Sequence, residues 1–215
     1  MKGRIVVLDH LDGRQAAALI EDGKLADFLI DPADDTMPMP GAIYRAIAGR
    51  PVKGQNGIML DLGGGQRGFL RQARGVAPGQ PLLVQVATCA EGGKASPVTT
   101  RLLFKGRYAI LTPGAKGLNI ARSIRDEEER ARLGEIAHDA MQDSAEGMGL
   151  ILRSACDGVD GATIGGEVRE LLDIARRVLP EGEGVSPELL LAAPSADYLA
   201  WRDWTNPDPE QVFEG

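Results

Sequence analysis

Cysteine is nearly absent: Cys89 and Cys156 are the only two in 215 residues, far apart and outside any C-x-x-C pattern. That spacing excludes a disulfide framework or an ordinary zinc site and predicts two buried or half-buried thiols in a reducing compartment. Aromatic residues make up only 4% of the chain, so each exposed ring carries unusual weight. No apolar run approaches the roughly eighteen residues of a membrane helix. The apolar patch in MKGRIVVLD is too short for a signal peptide, which points to the cytoplasm. G-x-S-x-G, P-loop and dinucleotide fingerprints are missing too; Gly63-Gly64-Gly65 is followed by neither Lys-Ser/Thr nor a helical pattern. His10 and His138 stand in no nucleophilic constellation. The residues argue for binding rather than bond cleavage.

The feature around which the chain is organised is itself an absence. Residues 94–125 hold seven basic side chains (Lys94, Arg101, Lys105, Arg107, Lys116, Arg122 and Arg125) and no acid, in a chain of net charge −7. Such segregation suits either an anionic partner or a solvated face of twisted strands. A pI near 5.0 excludes binding of nucleic acid over the whole surface and leaves room for a local groove.

Patterning predicts an α+β chain. Ile5–Leu8, Ala16–Ile20 and Leu25–Ile30 read as strands, the last two joined by a hairpin turn at Asp22-Gly23. Proline-rich residues 31–41 read as a linker. Ala42–Ala48, Gly57–Leu62, Gly68–Leu70 and Leu82–Val86 are short strands between glycine turns, the spacing of a small barrel. Val98–Phe104, Tyr108–Thr112 and Gly147–Ser154 continue as strands, and Pro113–Gly117 as a loop. Asp126 opens one helix, with Leu133, Ile136, Ala137 and Met141 inward. Glycine-rich residues 156–166 form a turn before a second helix, Glu167–Leu179, with Val168, Leu171, Leu172, Ala175 and Val178 inward. Leu189–Leu191 is a last strand candidate, and Tyr198, Trp201 and Trp204 are core anchors on a short helix.

Two groups of residues suit an RNA strand. Phe69 lies among Arg67, Arg71 and Arg74, an interleaving of ring and cations that fits single-stranded nucleic acid; filling a barrel core is the commoner use of such a ring. Arg153-Ser154 ends a strand, where a guanidinium fork and a hydroxyl can grip one phosphate, Arg122 adding charge and the Gly106 turn backbone N–H groups. The competing use of Arg153 is an ion pair with Asp157 or Asp160.

Four segments carry a resemblance: GAIYRAIAGRPVKGQNGIMLDLGGGQRGFL, KASPVTTRLLFKGRYAILTP, IARSI and EGMGLILRSA. In order and spacing, across about residues 1–205, they resemble the N-terminal half of the ribonuclease E/G endoribonucleases. The resemblance implies an S1/OB-type barrel (37–100) inserted in an RNase H-like subdomain (1–36 and 187–215), with a mixed α/β 5′-sensor region (101–186). It implies RNA contacts at Phe69 and Lys94, with Arg67 beside them and Met59 where a second aromatic is common. Arg153 and Ser154 match an arginine–threonine pair that holds a 5′-terminal phosphate, and Gly106, Ile110 and Arg122 fall on the remaining positions. Ser123 stands where a second arginine is common. The expected partner is 5′-monophosphorylated single-stranded RNA.

The family's Mg²⁺-holding aspartates, its zinc cysteines and a third phosphate-binding arginine belong to segments after Gly215, so Mg²⁺ is expected only of a longer enzyme. The alternative function is a non-catalytic S1-type RNA-binding module. A third option, a nuclease using Asp9 with other carboxylates, is weaker.

Overall fold

The computed structural model describes residues 3–34, 36–52, 54–142, 144 and 146–215. It is an α+β arrangement of a four-stranded sheet, a closed five-stranded barrel, a second four-stranded sheet and three helices.

The first sheet is a meander of β1 (Arg4–Leu11), β2 (Arg14–Glu21) and β3 (Lys24–Ile30). Asp12-Gly13 and Asp22-Gly23 make its two turns, all four residues at positive φ, the backbone that a two-residue hairpin of matching twist requires. The last strand, β14 (Gln211–Glu214), returns to lie parallel to β1. Helix α3 (Ala196–Trp204) covers one face, packing Ala200 and Trp204 on Val6, Ala17 and Leu19. Both ends of the chain therefore build one layer, and everything between β3 and α3 is inserted into it.

The barrel closes in the order β4 (Ile43–Val52), β5 (Gly57–Gly63), β6 (Gln66–Arg71), β8 (Ser96–Thr99), β7 (Pro81–Val86) and back to β4. Only β6 and β8 run parallel, an order consistent with the OB fold. Alternation fills it: Ile58, Leu60, Leu62, Leu70, Val84, Val86 and Val98 point inward. Gly68 fits closely there, since a Cβ would meet Val98 and Leu62 at 3.2–3.3 Å and press both aside. Strand β13 (Glu188–Leu191) pairs with the edge of β4. Buried Arg45 ties that strand to the barrel, its Nε donating to Ser186 O at 2.7 Å and its Nη1 to Glu181 O at 2.7 Å, with an ion pair to Glu188.

The second sheet runs β11 (Gly117–Ile120), β12 (Met148–Leu152), β10 (Ala109–Pro113), β9 (Phe104–Lys105). Helices α1 (Glu127–Ala140) and α2 (Gly161–Val178) pack on it around Leu111, Leu133, Leu150, Leu152, Ile164 and Val168, all essentially inaccessible. The inward residues expected for both helices are those buried or half-buried here.

Three expectations change. Helix α2 begins at Gly161, not Glu167: the Asp160 carboxylate accepts from Thr163 N at 2.9 Å and caps it. Its first glycine serves packing, because a Cβ on Gly161 would press Ile136 of α1 at 3.1 Å. The loop expected at Pro113–Gly117 is shorter, since Pro113 ends β10 and Gly117 opens the edge strand Gly117–Ile120, for which no element was expected. Cys89 is exposed in the loop after β7, while Cys156 is buried as expected. Its thiol donates to Tyr108 O at 3.1 Å, and burial pushes its pKa up to about 12, so it is not a nucleophile.

Candidate functional site

Phe69 does not fill the barrel. Gly68 and Leu70 take the inward positions, so Phe69 points outward with Arg67 and Arg71 on either side. Its ring leans over Gly57 of β5, where a Cβ would stand 2.5 Å from Cζ; that glycine leaves room for the ring to lie along the sheet. Met59 is its direct cross-strand partner. Met59, Arg67 and Lys94 line a cleft of about 560 Å³ that Met37 and Pro38 also border. A shallower hollow of about 340 Å³ runs along Phe69 past Asn56 and Arg71. All four residues expected at an RNA surface thus occupy one outer face. Lys94 makes a long, exposed ion pair to Glu91 at 3.8 Å.

The second group meets at one edge of the second sheet. Strands β11 and β12 are parallel, with Ile120 opposite Leu152, so Arg122 and Arg153 leave the sheet at the same end. The turn before β10 reaches that end as well: Arg153 N donates to Tyr108 O at 2.7 Å and Arg153 Nη1 to Gly106 O at 2.8 Å. Ile110 sits one row in, opposite Ile151. Ser154 Oγ accepts from Asn206 Nδ2 at 3.2 Å. Arg122 is exposed and without an ion pair among the described residues.

Charge compensation distinguishes this edge from the barrel. Arg153 pairs with Asp203 of α3 at 2.7 Å rather than with Asp157 or Asp160. Arg202 forks onto the same carboxylate through Nε at 3.1 Å and Nη2 at 2.6 Å. Burial raises the Asp203 pKa, but the hydrogen bonds and charges of the two arginines outweigh it and hold the carboxyl below its ordinary value.

The backbone N–H groups of the Gly106 turn are also engaged. Glu167 of α2 accepts from Arg107 N at 2.8 Å, Tyr108 N at 2.7 Å and Ala109 N at 2.9 Å, and Gly106 N donates to Ala109 O. Gly106 therefore offers Arg153 a carbonyl, and the turn offers its amides to a carboxylate.

Arg107 lies between the rings of Tyr108 and Trp201, its Cζ 5.4 and 5.3 Å from their centroids. Of the three aromatics expected as core anchors only Trp204 is one; Tyr198 and Trp201 are 37% and 40% exposed and touch each other at 5.6 Å. Sequence reading missed Arg107, Glu167, Trp201, Arg202, Asp203 and Asn206 at this edge. Apart from the neighbouring Arg202–Asp203 pair, their hydrogen-bond partners across this edge lie 49 to 98 residues away, and no local pattern announces such pairs.

The seven cations of residues 94–125 differ in their pairing. Lys94, Arg107 and Lys116 have acidic partners in Glu91, Asp208 and Glu146. Arg101, Lys105, Arg122 and Arg125 are exposed. Among the described residues no group of three or more His, Cys, Asp or Glu is disposed to hold a metal ion. His10, His138 and Asp9 are all exposed. No helix among the described residues is long and apolar enough to cross a membrane.

The profile of the Ribonuclease E/G family matches residues 104–213, from β9 into β14. Ribonuclease E of a Nostoc species is 28% identical over 174 residues, covering 74% of this chain and 24% of that protein. Ribonuclease E of a Synechocystis species is 37% identical over 84 residues, 39% of this chain and 12% of the relative. Ribonuclease G of Haemophilus influenzae is 24% identical over 185 residues, covering 75% and 37% respectively. The chain spans between about an eighth and three eighths of the length of these relatives. With the profile matching just over half of it, the chain belongs to the ribonuclease E/G family.

Proposed function

We propose that residues 1–215 are the RNA-binding, 5′-monophosphate-sensing portion of a ribonuclease E/G-type endoribonuclease active in RNA processing and decay. On this reading the barrel is an S1-type domain set into an RNase H-like layer. Single-stranded RNA stacks a base on Phe69, packs along Met59 and lays its phosphates past Arg67 and Lys94. The terminal phosphate meets Arg153 and Ser154, with Arg122 contributing field and Ile110 an apolar wall. Mg²⁺-dependent cleavage belongs to carboxylates outside these residues.

The observation that carries the reading is the outward Phe69, flanked by Arg67 and Arg71, on the same chain as a guanidinium–hydroxyl pair at a sheet edge. Fluorescence anisotropy with one RNA bearing either a 5′-monophosphate or a 5′-hydroxyl tests it. Tighter binding of the monophosphate, abolished in Arg153→Ala while weak binding persists, is expected; equal affinity for both ends sinks sensing.

A second reading, an S1-type RNA-binding module without sensing, draws on the engagement of Arg153 by Asp203, Gly106 O and Arg202 O. It predicts that equal affinity.

A further inference from the structure

We propose that Arg202 is a second phosphate-binding guanidinium of the terminal-phosphate site, and that Asp203 is a resident internal anion which a 5′-phosphomonoester displaces. The inference rests on the sensing reading above and adds to it the two residues that set its selectivity.

The geometry is that of an occupied anion site. Asp203 Oδ1 accepts from both Arg153 Nη2, at 2.7 Å, and Arg202 Nε, at 3.1 Å; Oδ2 accepts from Arg202 Nη2 at 2.6 Å. Two guanidiniums thus converge on one carboxylate, and Ser154, the residue after Arg153, holds its hydroxyl on Asn206 Nδ2 at 3.2 Å. The helix does not account for an acid here. Asp203 lies in the last turn of α3, where the helix dipole favours a cation such as Arg202 and opposes a carboxylate.

The acid is also the member of the trio that can leave. Arg153 is fixed by Tyr108 O through its backbone and by Gly106 O through Nη1. The Arg202 side chain is only 12% exposed, whereas that of Asp203 is 37% exposed and can turn to water, leaving the buried Arg202 charge to the incoming anion. The departing carboxylate is ionised at neutral pH, so the exchange is anion for anion.

A competitor must therefore exceed one carboxylate. A terminal phosphomonoester brings a charge of about −1.5 to −2 and three acceptor oxygens, enough to engage both forks and the hydroxyl. An internal phosphodiester carries a single charge and two free oxygens, so it gains little over Asp203. Asp203 then acts as a threshold that admits chain ends and rejects chain interiors.

The test measures anisotropy with one single-stranded RNA carrying a 5′-monophosphate or a 5′-hydroxyl, on the wild-type chain, Asp203→Asn, Asp203→Ala and Arg202→Gln, with circular dichroism to confirm folding. Both Asp203 variants are expected to bind the monophosphate roughly tenfold tighter, the equivalent of one charge-assisted contact, and the hydroxyl end within about twofold of wild type. Arg202→Gln is expected to weaken the monophosphate alone. If the wild type prefers the monophosphate but the Asp203 variants bind it no tighter, the inference is overturned and sensing stands. If no protein distinguishes the ends, both fall.

Discussion

The outer face of the barrel and the edge of the second sheet are both rich in cations, yet they are built in opposite ways. On the barrel, Phe69, Met59, Arg67 and Arg71 face outward because strand alternation leaves them there, and the core is complete without them. At the sheet edge, Arg153 and the amides of residues 107–109 are satisfied by Asp203 and Glu167. Arg107 makes a longer ion pair to Asp208 at 3.7 Å, while its Nε is buried without a hydrogen-bond partner among the described residues. The first surface is open and costs the fold little; the second also serves as a joint between α2, α3 and the sheet. Substitutions should accordingly damage binding on the barrel and stability at the edge.

The sharpest test of that contrast is Glu167→Ala. It leaves three backbone N–H groups without their carboxylate, which should cost about 3 kcal/mol of unfolding free energy, read as a lowered urea midpoint. A loss under about 1 kcal/mol would mean that water satisfies the turn equally well, and the edge would no longer differ from the barrel in kind.

How far each region can be read in advance follows the same division. Barrel strands and helix faces are periodic, so β4–β7 and the inward sides of α1 and α2 follow from local pattern, as does the Asp22-Gly23 turn. The direction of Phe69 was in principle available from that pattern: Gly68 and Leu70 are the better inward pair once Val98 and Leu62 need the space above Gly68. The ring's size suggested the core instead. The edge is assembled from long-range charge pairs, and those leave no period. Glycines at 161, 165 and 166 looked like a loop because propensity outweighed the Asp160 cap, and at Gly161 the close approach of Ile136 of α1 leaves no room for a side chain.

Phe69→Ala is the converse test. Loss of one stacked base should weaken single-stranded RNA binding about tenfold, within the usual range for such a ring. Because the side chain is half-buried and outside the core, stability should fall by only about 1 kcal/mol. Should the variant unfold while the residual folded fraction binds RNA normally, the ring is structural and the barrel resembles the edge.

Acid should reveal the helix layer beneath the edge. Glu129 is bidentate to Arg132 at 2.6 and 2.7 Å and accepts from Gly158 N at 3.0 Å, which draws its carboxyl from 4.5 down to about 2. A depressed carboxyl stabilises fully above its unfolded value and loses that contribution as pH falls from about 4.5 toward 2. The urea midpoint of Glu129→Gln should therefore change less between pH 6 and pH 3 than that of the wild type. Identical pH dependence in both proteins would remove this residue from the account.

The smallest expected effect separates a built surface from a diffuse field. Lys94 borders the cleft with Met59 and Arg67, and its exposed pair with Glu91 is too weak to hold it from a phosphate. Lys116, in the same acid-free stretch, lies between β10 and β11 and pairs with Glu146 at 3.2 Å. If only the cleft guides RNA, Lys94→Ala should weaken binding about two- to threefold and reduce the salt slope by about one, with Lys116→Ala matching wild type. Equal losses in both would mean that position within residues 94–125 is immaterial. The contrast between the open face and the compensated edge would then reduce to net charge, which anisotropy across a salt series can decide.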